Sequence, residues 1–500
     1  MDTTADFQAE LARWGNLTSG HRMPDDGTAA LIAFARNART AAPWMWGALH
    51  NALTNHSGWA KKVVDKEVKD ARVHADLGCI PHSVEEFVPV FLRERGYTMT
   101  YDGRFTAAGH ESDINEVLAA MRIWTDVHGQ YKNTYEAALK LWMSAEARAI
   151  LRHGYEHVAH DPAADPDKTE LRKFVRRVVA QDPDPAIAER NYLAAEVAFE
   201  SSIWRTKNGM RGRHYHYAHL MPVLHGGQND GKSAAMLHLL GPLGDMVASV
   251  GFDLLEDNSK SYMFSKMPVL FFDEMAGVGR ADIEKLKALM TDKSKLLREI
   301  YERASVRTLM FNAFGCTNKD ISILIRDETG NRRIIQIASR FNDVLNGALD
   351  DIDALKIWRS VDENQKVAPR YRTPEIIEII REVQAEQRHR SAVEDWITEG
   401  GRDVPLDRWM TATEAFSDFY DFIQKARPGE VRSWDNRKLG AELTRLSKPH
   451  NGEDESFHVK LQKVKGTSRY RITRSNVVDL AHPAHLRLAE VLGRNRPAGG

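Results

Sequence analysis

Residues 221–240 read MPVLHGGQNDGKSAAMLHLL, with Gly226, Gly231, Lys232 and Ser233 at the G-x4-G-K-[ST] spacing of a phosphate loop. The residue types suit polyphosphate chemistry. Gly226, Gly227 and Gly231 allow positive φ angles that turn backbone N–H groups toward anionic oxygens, and the helix expected from Gly231 onward adds its positive dipole end. Lys232 would reach the terminal phosphates of ATP and the Ser233 hydroxyl would ligate Mg2+, with Gln228, Asn229, Asp230 and Ala234 completing the cradle.

Hydrolysis needs an acidic strand end beside such a loop. MPVLFFDEM supplies it about 40 residues downstream, with Val269 to Phe272 as a strand buried on both faces, Asp273 holding Mg2+ through water and Glu274 acting as base. A third apolar segment, Thr308 to Asn318, ends in Thr317 and Asn318, placed to sense the γ-phosphate and orient water. DETGNRRIIQI then puts Arg332 and Arg333 ahead of a short strand at Ile334 to Ile337. The pair reads either as a surface ion pair or as an arginine finger for a neighbouring subunit's nucleotide, the planar guanidinium matching the charge of a transferring phosphoryl group. The finger reading is preferred and requires an oligomeric ring.

Between the second and third strands, IEKLKALMTDKSKLLREIYERASVRT offers Leu286, Leu289 and Met290 to a core. Lys293, Lys295, Arg298, Tyr301, Arg303 and Arg307 form a basic run interrupted by an aromatic, suited to single-stranded DNA in a ring's pore. A solvated charged helix is the other reading.

These groups need a large scaffold around them. The chain has 500 residues, 42% hydrophobic and 28% charged, enough for about three domains with cores of their own. A net charge of −1 leaves nucleic-acid affinity to local patches. Cys79 and Cys316 are too few for a disulfide framework, the N-terminus lacks a basic start followed by an apolar run, and no window approaches a membrane span, which predicts a soluble cytoplasmic protein.

Upstream of the loop, residues 1–110 alternate helical patterns with polar breaks, and YTMTYDGRFTA predicts a hairpin turning at Asp102-Gly103. Ile114, Val117, Leu118, Met121 and Trp124 keep helical spacing, as do Leu171, Phe174, Val175 and Val178, beside which Lys173, Arg176 and Arg177 read as a solvated face more readily than as a DNA contact. His153, Glu156 and His157 spell the inverted zinc-peptidase H-x-x-E-H, but Gly154 weakens the helix and no third carboxylate follows, so a surface cluster is favoured. His214, His216 and His219, just before the phosphate-loop strand, are a second zinc candidate that is also disfavoured.

The order GGQNDGKS, FFDEMAG, LKALMT, LREIYER, GCTN, DETGNRR, preceded by SSIWRTKNGMRGRHYHYAHLMPVL, resembles the virulence-associated E family. These are phage- and plasmid-type replication ATPases related to superfamily 3 helicases within the AAA+ class. The resemblance covers roughly residues 195–345 and implies a ring, often a hexamer, that translocates on or unwinds DNA of mobile elements. It places Lys232 and Ser233 in the phosphate loop, Asp273 and Glu274 at the acidic strand end, Asn318 as sensor and Arg332 or Arg333 as finger. Asn229-Asp230 stand where relatives more often have Gly or Ser, and an extra acid there would slow turnover. Many relatives carry a primase, whose metal-binding constellation is not found in residues 1–195.

Beyond a helical stretch at 346–395, the Gly400-Gly401 break precedes WMTATEAFSDFYDFI, with a Thr411/Glu414 capping box and an apolar face of Phe416, Phe419, Tyr420 and Ile423. A second helix with Leu439, Leu443 and Leu446 inward leaves Arg437, Lys438 and Arg445 outward. FHVKLQKV and SRYRITR then pair around Lys465-Gly466, and Lys460, Lys463, Lys465, Arg469 and Arg471 make the hairpin basic. This is the plan of a winged-helix domain contacting duplex DNA, or of an oligomerisation module with the same pattern.

The expected fold class is α/β: a P-loop ATPase core with a parallel sheet, of AAA+ type by resemblance, a helical N-terminal region and a C-terminal winged-helix-like domain. The expected divisions are 1–110, a helical domain 111–195, the ATPase 196–345, a helical connector 346–400, the winged-helix-like domain 401–480 and a tail. The leading function is an ATP-dependent helicase, translocase or replication initiator acting as a homo-oligomeric ring on DNA; the alternative is a nucleotide-gated assembly ATPase that binds DNA or protein without unwinding.

Overall fold

The computed structural model describes residues 3–15, 21–215, 219–257, 260–275, 280–297, 305–319, 332–340, 349–387, 391–399, 404–405, 407–447, 457–464 and 466–474. The chain divides into two compact units, Met1–His153 and Gly154–Gly500. Among the described residues no helix is long and apolar enough to cross a membrane.

The first unit is mainly helical: α1 Thr3–Gly15, α2 Asp25–Asn37, α3 Pro43–His56, α4 Lys61–Leu77, α5 Val84–Glu94 and α6 Ile114–His128. The predicted hairpin exists as β1 Tyr97–Met99 and β2 Phe105–Ala107, turning at Gly103 with φ +90. A third strand that the pattern did not announce, β3 His110–Ser112, pairs with β2. The start of α6 follows from local chemistry: Asp113 and Glu116 form a capping box, and Val117, Met121 and Trp124 are buried. Asp76 then links elements by accepting from the Trp124 indole and from Arg95 at 2.9 Å.

Helix α7 spans Tyr135–Val158. Gly154 is not its weak point, because Met246 and Met210 occupy the space a Cβ would fill. His153, Glu156 and His157 lie exposed along it, and among the described residues no group of three or more metal-ligating side chains gathers.

The second unit is built on five parallel strands. Its elements are α8 Thr169–Val178, α9 Pro185–Met210, β4 Met221–His225, α10 Lys232–Leu240, β5 Val247–Ser249, α11 Met263–Lys266, β6 Val269–Phe272, α12 Arg280–Thr291, β7 Ser294–Leu297, β8 Ser305–Thr308, β9 Asn312–Thr317 and β10 Ile334–Ala338. The sheet order is β10-β4-β9-β6-β5. Every residue of β6 and β9 and four of the five in β4 are buried, as a parallel sheet covered on both faces requires. On α8, the cations of the basic face serve internal ion pairs, Arg176 with Glu189, Arg177 with Asp351 and Lys173 with Glu170.

Residues expected as a connector brace this sheet. Helix Pro374–Glu386 covers the free edge of β10, where Gln387 exchanges two hydrogen bonds with the Gln336 backbone, at 2.8 and 2.6 Å, and Gln384 donates to Ile334 O at 3.0 Å. The amides satisfy backbone groups that an open edge would leave unpaired. Helix Ala354–Ser360 packs on α10, with the Trp358 indole donating to Leu239 O at 2.7 Å.

Downstream, helices Ala392–Glu399, Ala412–Ala426 and Asn436–Leu446 enclose one core with the antiparallel ribbon β11 Phe457–Val464 and β12 Thr467–Arg474. The first of these precedes the Gly400-Gly401 break, yet Trp396 and Ile397 belong to this core. The Thr411/Glu414 capping box is formed, Phe419 and Ile423 are buried, and Tyr470 bonds Gly440 O at 2.9 Å, tying the ribbon to the second of the expected helices.

Polar groups of α9 are buried along with its apolar ones. Lys207 Nζ donates to Glu363 Oε2 at 3.0 Å and to Val361 O at 2.6 Å, while the Tyr155 hydroxyl donates to Glu363 Oε1 at 2.6 Å. Burial pulls the ammonium down to about 8 despite its partner; the carboxyl, which burial pushes up, is held below its usual range by Tyr155 and Lys207. Lys207→Met leaves a buried carboxylate unpaired and is expected to cost about 3–5 kcal/mol in urea unfolding. Adding Glu363→Leu should recover most of that loss; a double variant as unstable as the single one would refute the pair.

Candidate functional site

The site is assembled by strand register. His225 of β4 lies level with Thr317 of β9, and Phe272 of β6 with Gly315, so the three strands release their chains at one edge of the sheet. The Gly226 N–H donates to Thr317 O at 3.3 Å and the Met275 N–H to Cys316 O at 3.0 Å, drawing the loop start and the acidic turn against the end of β9. Asp273, Glu274 and Asn318 are all exposed there.

Of the three glycines expected to take positive φ, Gly231 does so and Gly226 and Gly227 do not; Asn229 takes it instead. Asn229 and Gly231 take φ of +66 and +68, and α10 begins directly afterward at Lys232, offering N–H groups that lack intrahelical partners. Lys232 is buried and its Nζ bonds the carbonyls of Gly226 and Gly227, lying across the inside of the turn. A Cβ at Gly226 would lie 2.5 Å from Ser339 O and 2.8 Å from Asp230 Oδ2, so contact, not backbone conformation, requires glycine there. Asp230 packs back against Gly226 and Gly227. Gln228 and Asn229 face solvent, while Ser233 and Ala234 are half-buried in the first helical turn.

Cys316 was not recognised as part of this arrangement. Its buried thiol is hydrogen-bonded to the Ser233 hydroxyl and lies in the fields of Asp273 and Lys232; burial, reinforced by Asp273, pushes it up to about 12, so it stays a neutral packing group. The signal was its position two residues before Asn318 on a buried strand, legible only once β9 is placed between β4 and β6.

Arg332 and Arg333 are elsewhere. They precede β10, which runs parallel to β4 from Ile334↔Met221 to Ala338↔His225, and thus stand at the edge opposite the loop. Arg332 is exposed and Arg333 half-buried, with its carbonyl accepting from Met221 N at 2.7 Å. His214 and His219 lie among cations: burial lowers His214, helped by Arg205 and Lys293, and His219 Nε2 is 2.7 Å from an Arg205 nitrogen, surroundings that disfavour a metal cation. His216 is outside the described residues.

The basic run does not continue α12 as a charged helix. Its described residues form the antiparallel ribbon β7–β8, with Lys295 opposite Arg307 and Leu296 opposite Val306. Lys293 and Lys295 are exposed; Arg298, Tyr301 and Arg303 are outside the described residues. Arg437, Lys438, Lys463 and Arg469 are exposed on the C-terminal helix and ribbon, and Lys465 is outside the described residues.

Gly226→Ala should destabilise the chain by about 1–3 kcal/mol, because a backbone carbonyl must retreat. Gly227→Ala, which meets only the Asp230 carboxylate at 3.0 Å, should cost less. Denaturation midpoints compare them, and equal losses would contradict the contact.

Two solved structures of the apo NrS-1 C-terminal region are similar to this chain, one in an A form at 11% identity with a TM-score of 0.32 and another at 10% with 0.34. Each match covers 60% of this chain and 78% of the other, and at such TM-scores they carry no argument about fold or activity. No curated protein matches the chain. The family model described as a virulence-associated protein E-like domain matches residues 214–389, from just before β4 to the end of the helix that braces β10. The loop, the acidic turn, the β9 end and the arginine pair therefore all lie within the stretch that the virulence-associated protein E-like domain model matches.

Proposed function

We propose that this chain is an ATP-hydrolysing motor that acts on DNA as a homo-oligomeric ring, of the kind used in replication of phages, satellites or plasmids. The observation that carries the reading is the gathering of the Gly226–Ser233 loop, Asp273, Glu274 and Asn318 at one sheet edge, with Arg332 and Arg333 at the other. Such a protomer holds a nucleotide at one edge and offers guanidinium groups to a neighbour at the opposite one.

The residues fit MgATP. Positive φ at Asn229 and Gly231 shapes a loop whose inner side already carries the Lys232 ammonium, and the Ser233 hydroxyl and the Asp273 carboxylate both neighbour Cys316. Gly226 to Ala234 would cradle the phosphates, and Ser233 with Asp273, through water, would hold Mg2+, which neutralises phosphate charge when bound. Glu274 is the base for the attacking water, Asn318 orients that water, and a partner's Arg332 or Arg333 completes the pocket.

Lys293 and Lys295, with the undescribed Arg298, Tyr301 and Arg303, are assigned to single-stranded DNA in the pore. Arg437, Lys438, Lys463, Lys465 and Arg469 are assigned to duplex at a winged-helix-like C-terminal domain. The helix, helix and ribbon order of that region supports this assignment. A hexamer is the expected assembly.

Lys232→Ala should abolish MgATP binding, read as loss of the thermal shift that nucleotide gives the unaltered chain. Forked DNA should be unwound only with ATP; hydrolysis stimulated by single strands without displacement would favour an assembly ATPase. Lys293→Ala with Lys295→Ala should flatten the log–log salt dependence of single-strand affinity by about 1.4, two phosphate contacts at about 0.7 each. An unchanged slope would remove β7 from the DNA path.

A further inference from the structure

The edge opposite the phosphate loop contains buried charge that the proposed reaction does not yet use. Arg370, 7% exposed, donates from Nη1 to His219 O at 2.6 Å and to Arg332 O at 3.0 Å, and its own N–H donates to Ser201 Oγ of α9 at 2.9 Å. Its guanidinium lies over the Tyr371 ring, 4.9 Å from the centroid. A second guanidinium, Arg205, is buried on the other side of His219, donating to Phe311 O at 3.0 Å. No carboxylate among the described residues pairs with either. Burial pulls both down, Arg205 to about 9, and both remain cationic at neutral pH.

Buried cations are costly unless their N–H groups are satisfied, and among the described residues carbonyls supply that compensation. The Arg332 carbonyl belongs to the Arg332–Arg333 peptide, one residue ahead of β10, so Arg370 Nη1 fixes the plane of the peptide that joins the two candidate fingers. Arg332 itself is exposed; burial, and after it the charges of Arg332 and Arg381, disfavour the charged form of Arg370. Arg333 differs: it is half-buried and its carbonyl is taken by the β4 ladder.

We propose that Arg370 is a positioning residue that sets the exit direction of Arg332, making Arg332 rather than Arg333 the guanidinium delivered to the neighbouring protomer's nucleotide. The inference rests on the ring-ATPase reading above. Arg370 touches no reacting atom; it acts through the backbone of Arg332 and through His219, which leads into the phosphate-loop strand.

The test uses the full chain with Arg370→Lys, which keeps the charge but replaces the planar guanidinium, whose Nη1 holds both carbonyls, with a shorter ammonium. Turnover should fall about 100-fold, the scale of a displaced catalytic group, while MgATP affinity stays unchanged. Mixing with Lys232→Ala chains should restore part of the activity, because that variant supplies an intact finger edge and Arg370→Lys an intact loop. Arg332→Ala should behave likewise and Arg333→Ala should retain turnover. Loss of MgATP affinity in Arg370→Lys, absence of rescue on mixing, or dependence on Arg333 instead of Arg332 would overturn the proposal. Full turnover in both Arg332→Ala and Arg333→Ala would instead strike the finger reading itself, and this proposal with it. Should Arg370→Lys not fold, Ser201→Ala loosens the same segment with every charge in place; it must lower turnover without weakening MgATP binding, and unchanged turnover would overturn the assignment.

Discussion

The ladder of β9 between β4 and β6 is the interaction on which the rest of the second unit depends. Parallel pairing makes all three strands end at the same edge, at a spacing of about 4.8 Å per strand. Leu224 faces Cys316 and Phe272 faces Gly315, which brings Gly226, Asp273 and Asn318 within reach of one another although they are scattered along the chain. A one-residue slip would turn every side chain of the slipped strand to the other face of the sheet and break the packing fitted there. Gly315 shows how tight the fit is, since a Cβ there would lie 2.7 Å from Met275 Sδ and 2.8 Å from Met221 Cε.

Holding that register takes polar chemistry from distant parts of the chain. Helix α9 contributes Ser202, whose hydroxyl bonds Leu220 O at 2.6 Å, and Asn312 at the start of β9 returns a bond to Ser202 O at 2.9 Å. Gln384 and Gln387 close the β10 edge, and Gln336 reaches on to His225 Nδ1 at 3.2 Å, immediately before the loop. Hydrophobic burial is non-directional, whereas these bonds have partners and angles, and they fix which strand lies beside which. The two sheet edges are therefore parts of one rigid object, a requirement if a pocket at one edge is to respond to contacts at the other.

Cationic side chains divide into two populations by what the fold does with them. Those of α8 are committed to Glu170, Glu189 and Asp351, and Arg427 and Arg445 are committed to Asp395 and Glu442. Lys293, Lys295, Lys463 and Arg469 instead project from ribbons whose paired strands leave long side chains in water. With a net charge of −1 overall, such ribbons are where a polyanion would find local positive potential.

Much of this was legible in the order of residues. The glycine spacing around Lys232, the apolar run ending at Asp273, the capping box at Thr411 and the alternation of β11 and β12 are local patterns, set within a turn or a strand, and the structure reproduces them. What the pattern missed was non-local. The ribbon β7–β8, the short strand β3, the thiol of Cys316 beneath Ser233, the glutamine closure of β10 and the Arg370 grip on Arg332 each join segments that carry no mark of one another in sequence. Residue types alone determined that this chain has a glycine-rich turn leading into Lys232 and Ser233, an acidic strand end and a basic C-terminal hairpin. Only the packed sheet decided that the first two share an edge and that Arg332 and Arg333 stand at the opposite one, because strand neighbours are chosen by burial and hydrogen bonding across the whole unit, not by adjacency along the backbone.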